Sequence, residues 1–272
     1  MELEKLRECV REALIMGHKA LKEALSKNQK EIKGRGSFGD ISYDFDKIAE
    51  RAIIESITSH LDGVYIISEE AGFIPSENPK YYVVIDPVDG STNAFYGIPF
   101  YASSILISSS AKMEDALVAG VIDHSNQDIF LGDKESGVSI NGHTASLRDS
   151  VSLRSALIQM NLDALRSDGN EALRRWAERI IERVRHLRNF SAASLEACYL
   201  LDGRADAYVC LTPNLKIMDL CASVALLEWA GGAYRILGGK PSLLNTQKFG
   251  MIAASSWSLL EEIYSLREGD GD

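Results

Sequence analysis

Apolar positions recur at helical spacing over residues 3–26, with Leu6, Val10, Leu14, Ile15 and Leu21 among them, and predict an amphipathic helix. The polar, glycine-bearing stretch S-K-N-Q-K-E-I-K-G-R-G-S-F-G-D (26–40) predicts a mobile loop. A second helix is predicted over 43–61, and then a strand V-Y-I-I-S (64–68) that runs straight into Glu69 and Glu70. Another apolar run predicts a strand ending at Asp86. Residues 101–133 alternate in the manner of strands, so a mostly antiparallel sheet is expected, with a turn at the N-G of 141–142. Beyond it come a strand at 155–160, a helix near 168–184, a strand at 206–210, and a helix from Asp219 to Trp229 that stops at Gly231-Gly232. No repeat or low-complexity linker divides the chain. A soft boundary near 140–150 gives an N-terminal α+β half (1–145) and a C-terminal α/β half (146–272).

Composition narrows the function. With 272 residues, 46% hydrophobic and 25% charged, the chain can bury one large core or two packed halves, and it has no run of about 20 apolar residues to span a membrane. A formal net charge of −10 argues against nucleic acid or an anionic membrane as partner. An anionic small molecule stays compatible if cations stand between it and the protein. The four cysteines, Cys9, Cys198, Cys210 and Cys221, lack C-x-x-C spacing and read as core residues in a reducing compartment. The charged N-terminus is not a signal peptide, which makes the cytoplasm the expected location. His18, His60, His124, His143 and His186 lack ligand spacing and read as incidental surface groups.

The chemistry concentrates in Y-V-V-I-D-P-V-D-G-S-T-N (82–93). Asp-Pro and Asp-Gly are ordinary turn dipeptides, which is the structural explanation of the pair Asp86 and Asp89. Against it, carboxylates also end other elements: Glu69 and Glu70 follow a strand, and Asp219 opens a helix, where an N-cap is the ordinary role. Two partly buried carboxylates held close by a tight turn resist joint ionisation unless a cation is present. A hard divalent ion such as Mg²⁺ takes oxygen ligands and would relieve the repulsion. The G-S-T-N that follows would start a helix whose free N–H groups favour a phosphate. Together these features point to metal-assisted phosphoryl hydrolysis.

D-P-V-D-G-S-T-N resembles the D-P-[IL]-D-G-[ST]-[TS]-N signature of the inositol monophosphatase family of lithium-sensitive, Mg²⁺-dependent phosphatases. Companion segments follow in order: G-D-I-S-Y-D-F-D, S-E-E, G-V-S-I-N-G, I-M-D-L-C-A-S and E-W-A-G-G-A resemble the family's motifs along nearly the whole chain. The resemblance implies an α+β, α/β fold, the layered α/β/α/β/α sandwich of the inositol monophosphatase and fructose-1,6-bisphosphatase type, usually a homodimer. It implies Glu69, Asp86, Asp89 and Asp219 as metal ligands for two or three Mg²⁺ per site, with the Val88 carbonyl completing one. Asp46 and Ser91 would form a hydrogen-bonded pair that orients the water together with Glu69. The amides of Gly90, Ser91 and Thr92 would hold the phosphate, and Arg188 would support the sugar side.

Ordinary readings stand beside these. Asp46 fits a helix-surface carboxylate, Glu70 a solvated or outer one, Ser91 and Thr92 helix caps, Arg188 a salt bridge, and Lys33 and Arg35 solvated charges. The family's tryptophan before the last ligand is Met218 here, and its G-S-A-A-L is S-A-A-S-L at 191–195. L-T-P-N-L-K-I-M-D resembles the archaeal branch acting on inositol monophosphate and fructose 1,6-bisphosphate, yet Thr212 and Lys216 stand where that branch has arginines. The leading expectation is a phosphomonoesterase for a sugar or polyol phosphate. The alternatives are a phosphatase for 3′-phosphoadenosine 5′-phosphate or NADP, using Tyr96 and Phe100 to stack the base, and a non-catalytic interaction protein on the same fold.

Overall fold

The computed structural model describes residues 2–39, 41–149, 151–166 and 169–268. Helix α1 (Glu2–Ser26) buries Leu6, Val10, Leu14 and Leu21 on the face that the periodicity marks, while Ile15 sits at its rim. Strands β1 (Ile32–Arg35) and β2 (Ile41–Tyr43) pair antiparallel, so the stretch expected to be a loop (26–40) carries one strand of a two-stranded ribbon. All four residues of β1 are exposed, so no apolar alternation marks it. Asp40, which lies between these strands, falls outside the described residues.

Helix α2 (Asp44–His60) leads to β3 (Val64–Ser68), β4 (Gly72–Ile74), β5 (Tyr81–Asp89) and the short helix α3 (Ser91–Tyr96). A meander follows: β6 (Ala102–Ser108), β7 (Ala116–Asp123), β8 (Ile129–Asp133), β9 (Gly137–Ile140) and β10 (His143–Thr144). Eight strands form one sheet in the order β10-β9-β8-β7-β6-β5-β3-β4, antiparallel except for the β3–β5 pair. The rest of the chain supplies β11 (Leu157–Met160), α4 (Glu171–Arg183), β12 (His186–Arg188), α5 (Ala193–Cys198), β13 (Ala207–Leu215), α6 (Ile217–Trp229), β14 (Ala233–Leu237), β15 (Phe249–Ala254) and α7 (Trp257–Ser265). Five of these strands form a second, mixed sheet, β12-β11-β13-β15-β14.

Side-chain alternation stacks the layers. In β5, Val83 and Ile85 point to the cluster built on α1 and α2, while Val84 points to the opposite cluster with α5 and α6. In β13, Tyr208 and Cys210 face α5 and α6, whereas Val209 and Leu211 face Trp176 and Ile180 of α4 and Leu259 and Ile263 of α7. The result is α1/α2, sheet, α5/α6, sheet, α4/α7: the α/β/α/β/α sandwich. Each wholly covered Leu, Ile or Val in these clusters contributes about 1.5–3 kcal/mol of burial free energy. All four cysteines are buried. Among the described residues, no helix is long and apolar enough to cross a membrane.

Two local results differ from expectation. Strand β5 does not end at Asp86 but runs on to Asp89. Its pairing with β6 shifts from Asp86↔Ser104 to Asp89↔Ala102, so one extra residue is bulged out between the aspartates. A bulge inside a strand, rather than a turn after it, therefore sets the spacing of the pair. Helix α6 begins at Ile217, which makes Asp219 its third residue rather than its cap.

Candidate active site

Four acidic side chains from three parts of the fold line one cleft of about 430 Å³. Glu69 immediately follows β3, Asp86 and Asp89 come from the bulge of β5, and Asp219 from the first turn of α6. Val88, Gly90, Ser91 and Thr92 line the same cleft, together with Asn161, Glu196, Tyr208 and Asn214. A second cavity, about 270 Å³, lies at the far end of α6 around Trp229 and Tyr234, with none of these four acids in it.

Each carboxylate is fixed by local chain geometry. Asp86 accepts from the Val88 N–H at 3.1 Å across the bulge. Asp89 accepts from the Ser194 hydroxyl at 2.5 Å, the Ser194 N–H at 2.7 Å and the Ala193 N–H at 3.2 Å. Asp219 reaches back to the Lys216 N–H at 2.8 Å, closing the first turn of α6. Asp46 does the same for α2, accepting from the Tyr43 N–H at 2.9 Å. These bonds favour the ionised forms, yet burial prevails. Burial pushes Asp89 up to about 6, against the pull of Ser194. It pushes Asp219 up to about 8, with repulsion from Glu69 second, and holds Asp86 well above the usual carboxylate range, with Glu69, Asp89 and Asp219 adding to the shift.

Against this charge stands Lys216, 3% exposed, whose Nζ lies 2.6 Å from Glu69 Oε1. Among the described residues, no three His, Cys, Asp or Glu side chains already surround a common point as metal ligands do. The chemistry of the donor set nonetheless fits a hard divalent ion: it consists of oxygens alone, Asp86 and Asp89 are buried and Asp219 half-buried, and mutual repulsion leaves them short of positive charge. Rotation of Glu69 away from Lys216 is the adjustment that would turn it toward an ion.

Beside the acids, the Ser91 hydroxyl donates to Asp46 Oδ1 at 3.0 Å and to the Val88 carbonyl at 2.8 Å, so its one proton is shared between two acceptors. Burial raises Asp46 to about 8. Gly90 has φ +86°, and a Cβ there would stand 3.0 Å from Ala192 Cβ and 3.2 Å from the Phe100 carbonyl. Only glycine lets the chain turn from β5 into α3 at this distance.

The remaining candidates divide. Thr92 and Gly90 line the cleft, while Arg188 does not: it lies on the exposed edge strand β12 and donates to the Leu187 carbonyl at 2.8 Å. Glu70 turns aside to the Ser42 hydroxyl. Lys33 pairs with Glu31 at 2.8 Å, and Arg35 donates to the Gly39 carbonyl. Tyr96 is 72% exposed, whereas Phe100 is buried and stacked on Phe190. His124, expected at the surface, is wholly buried.

The model of the inositol monophosphatase family matches residues 2–270. The chain belongs to the inositol monophosphatase family. A fructose-1,6-bisphosphatase of Pyrococcus furiosus is 30% identical over 233 residues, 85% of each chain. A fructose-1,6-bisphosphatase/inositol-1-monophosphatase of Methanothermobacter thermautotrophicus is 28% identical over 88% of this chain and 87% of its own. Such relatives support the archaeal inositol monophosphatase/fructose-1,6-bisphosphatase branch. In fold, the chain is similar to the crystal structure of extragenic suppressor protein suhB from Bartonella henselae, with a TM-score of 0.84, 21% identity, and 97% and 99% of the two chains covered. This family member is a phosphoric monoester hydrolase, in a family whose members are generally metal-dependent.

Three site residues escape a reading of the motifs. Ser194 grips Asp89, and its signal is the departure S-A-A-S-L from the family's G-S-A-A-L. Ser191, at the glycine position of that motif, adopts φ +59°. Glu196 lines the cleft, accepts from the Phe190 and Ala192 N–H groups at 3.0 and 3.3 Å, and is pushed up to about 8 by burial.

Proposed function

We propose that this family member is a Mg²⁺-dependent phosphomonoesterase of sugar or polyol phosphates, inositol 1-phosphate among them. The observation that carries the reading is the convergence of Glu69, Asp86, Asp89 and Asp219 on one cleft with more negative charge than Lys216 offsets. Those four carboxylates and the Val88 carbonyl would hold two or three Mg²⁺ ions. When bound, such ions acidify water and neutralise charge on the phosphoryl group and the leaving alkoxide.

The chain's own residues do the rest. Ser91, hydrogen-bonded to Asp46 and to the Val88 carbonyl, would orient the attacking water together with Glu69. Engagement of the Val88 carbonyl by a cation would leave the Ser91 proton to Asp46 alone. The amides of Gly90, Ser91 and Thr92 would hold the phosphate oxygens while a water–phosphorus bond forms and the ester P–O bond breaks. The products are an alcohol and free phosphate.

Thr212 carries no charge and Lys216 is engaged with Glu69, so neither offers a second phosphate the bidentate fork that arginine would. This favours a monophosphate over fructose 1,6-bisphosphate. Neither Tyr96 nor Phe100 is among the cleft-lining residues, which removes both stacking groups the nucleotide reading needs. The test is phosphate release, with and without Mg²⁺, from inositol 1-phosphate, fructose 1,6-bisphosphate and 3′-phosphoadenosine 5′-phosphate. Preference for the nucleotide overturns the substrate class, and turnover unaffected by chelator overturns the metal role. A homodimer, inhibition by Li⁺ and a cytoplasmic location complete the proposal.

A further inference from the structure

Pro87 lies between Asp86 and Asp89 in the bulge of β5. It has no N–H, and the bulge disrupts the ladder around it. Ser103 of β6 supplies the missing contact: its hydroxyl donates to the Pro87 carbonyl at 2.6 Å. The same oxygen lies 2.8 Å from Nε2 of His124, which follows β7. Nδ1 of His124 lies in turn 2.9 Å from Nδ1 of His18 on α1, the two rings 16° from parallel. Ser103 and His124 are both fully buried.

Counting donors fixes the protons in this chain. A carbonyl only accepts, so the single Ser103 proton points at Pro87. The Ser103 oxygen must then accept from His124 Nε2–H. Burial, followed by the neighbouring His18 and Lys22, holds His124 far below the usual histidine range, so its ring is neutral. Its Nδ1 is therefore bare and accepts from His18 Nδ1–H. Every bond from α1 to the acidic bulge runs in one direction.

We propose that His124, backed by His18, is a positioning residue that holds the Asp86–Asp89 bulge in its ion-binding shape through Ser103 and the Pro87 carbonyl. Without the Nε2–H, the Ser103 oxygen loses its donor, and the Pro87 bond alone sets the rotation of the hydroxyl. The Pro87 carbonyl, one residue from each of Asp86 and Val88, is then held by a single bond that nothing backs. The inference rests on the reading of these aspartates as cation ligands.

Two experiments decide it. In ¹⁵N-histidine-labelled protein, long-range ¹H–¹⁵N spectra report tautomers: the relay requires His124 protonated at Nε2 and His18 at Nδ1, and the reverse pattern overturns it. Calorimetric titration of the chelator-treated protein with Mg²⁺ then compares the wild type with His124→Leu, His124→Gln and Ser103→Ala. Glutamine sets its amide nitrogen near the Nε2 position and still donates to Ser103, whereas leucine cannot. Leucine and the serine variant are expected to weaken Mg²⁺ binding about 10- to 100-fold, as loss of an outer partner does, with glutamine restoring most of it. Ser103→Ala carries the test alone if His124→Leu does not fold. Wild-type affinity in folded His124→Leu or Ser103→Ala contradicts the role, as does glutamine no better than leucine at equal melting temperature. A wild type that binds no Mg²⁺ sinks the ion reading and this role with it, while the tautomer pattern still tells whether the relay exists.

Discussion

Replacing Lys216 with methionine removes the ammonium but keeps a buried apolar stem. The Lys216 side chain is 4% exposed and its partner Glu69 16%, with 2.6 Å between Nζ and Oε1. Breaking a buried ion pair from one side costs about 3–5 kcal/mol. Glu69 keeps some contact with water, so the low end, about 3 kcal/mol, applies. At about 2–4 °C per kcal/mol for a chain of this size, Lys216→Met should melt about 6–12 °C below wild type in chelator. In saturating Mg²⁺ the ions take over the neutralising role and the deficit should shrink to a few degrees. Recovery of about 3 kcal/mol corresponds to apparent Mg²⁺ binding tighter by about 10²-fold, at 1.4 kcal/mol per factor of ten. Thermal unfolding with and without Mg²⁺ and calorimetric titration, both near pH 8, measure the two halves of the effect. The same deficit in both buffers, with unchanged Mg²⁺ affinity, would show that Lys216 and the ions do not neutralise the same carboxylates.

Other outcomes follow from the same geometry. Asp89→Asn should lower turnover by about 10²-fold or more, beyond the 10- to 100-fold typical of an outer partner, while Ser194→Ala, which removes the 2.5 Å donor to Asp89, should fall within that range; steady-state phosphate release compares them. Gly90→Ala forces a side chain into φ +86° beside Ala192 and should cost at least about 1–2 kcal/mol, read as a melting point lower by about 2–8 °C. The raised Asp89 (about 6) and Asp219 (about 8) bind protons more tightly in the folded state than in the unfolded chain. Their contribution is therefore fully present below pH 4 and is lost as pH rises through 6 and 8. Urea unfolding in chelator should show stability falling across that window, and Mg²⁺ should abolish the fall.

How much of this is legible in the residues depends on whether the signal is local. D-P-V-D-G-S-T-N and the helical stripe of α1 carry their meaning within a dozen positions, so the acids and helix α1 read directly from the chain. Strand β15, F-G-M-I-A-A, is buried on both faces and built partly of small residues, so it shows neither alternation nor strong β-propensity. Helix α7 spans nine residues with Trp257 exposed, too short for its period to stand out. In the site, Glu69 meets Lys216 across 147 positions and Asp89 meets Ser194 across 105. Such pairings follow from how α5 and α6 pack against the first sheet, and no spacing rule contains them. His124 sits in an ordinary D-H-S-N turn sequence and is buried only because Tyr101 and α1 close over it.

In the proposed site, separate carboxylates gather divalent ions over which a phosphate ester is held. Anomalous diffraction from crystals soaked in Mn²⁺ and phosphate tests it most directly. Peaks are expected within about 2.0–2.3 Å of oxygens of Glu69, Asp86, Asp89 and Asp219, with Lys216 swung off Glu69 and phosphate against Gly90, Ser91 and Thr92. Peaks elsewhere, or an intact Lys216–Glu69 contact at saturating Mn²⁺, would contradict it.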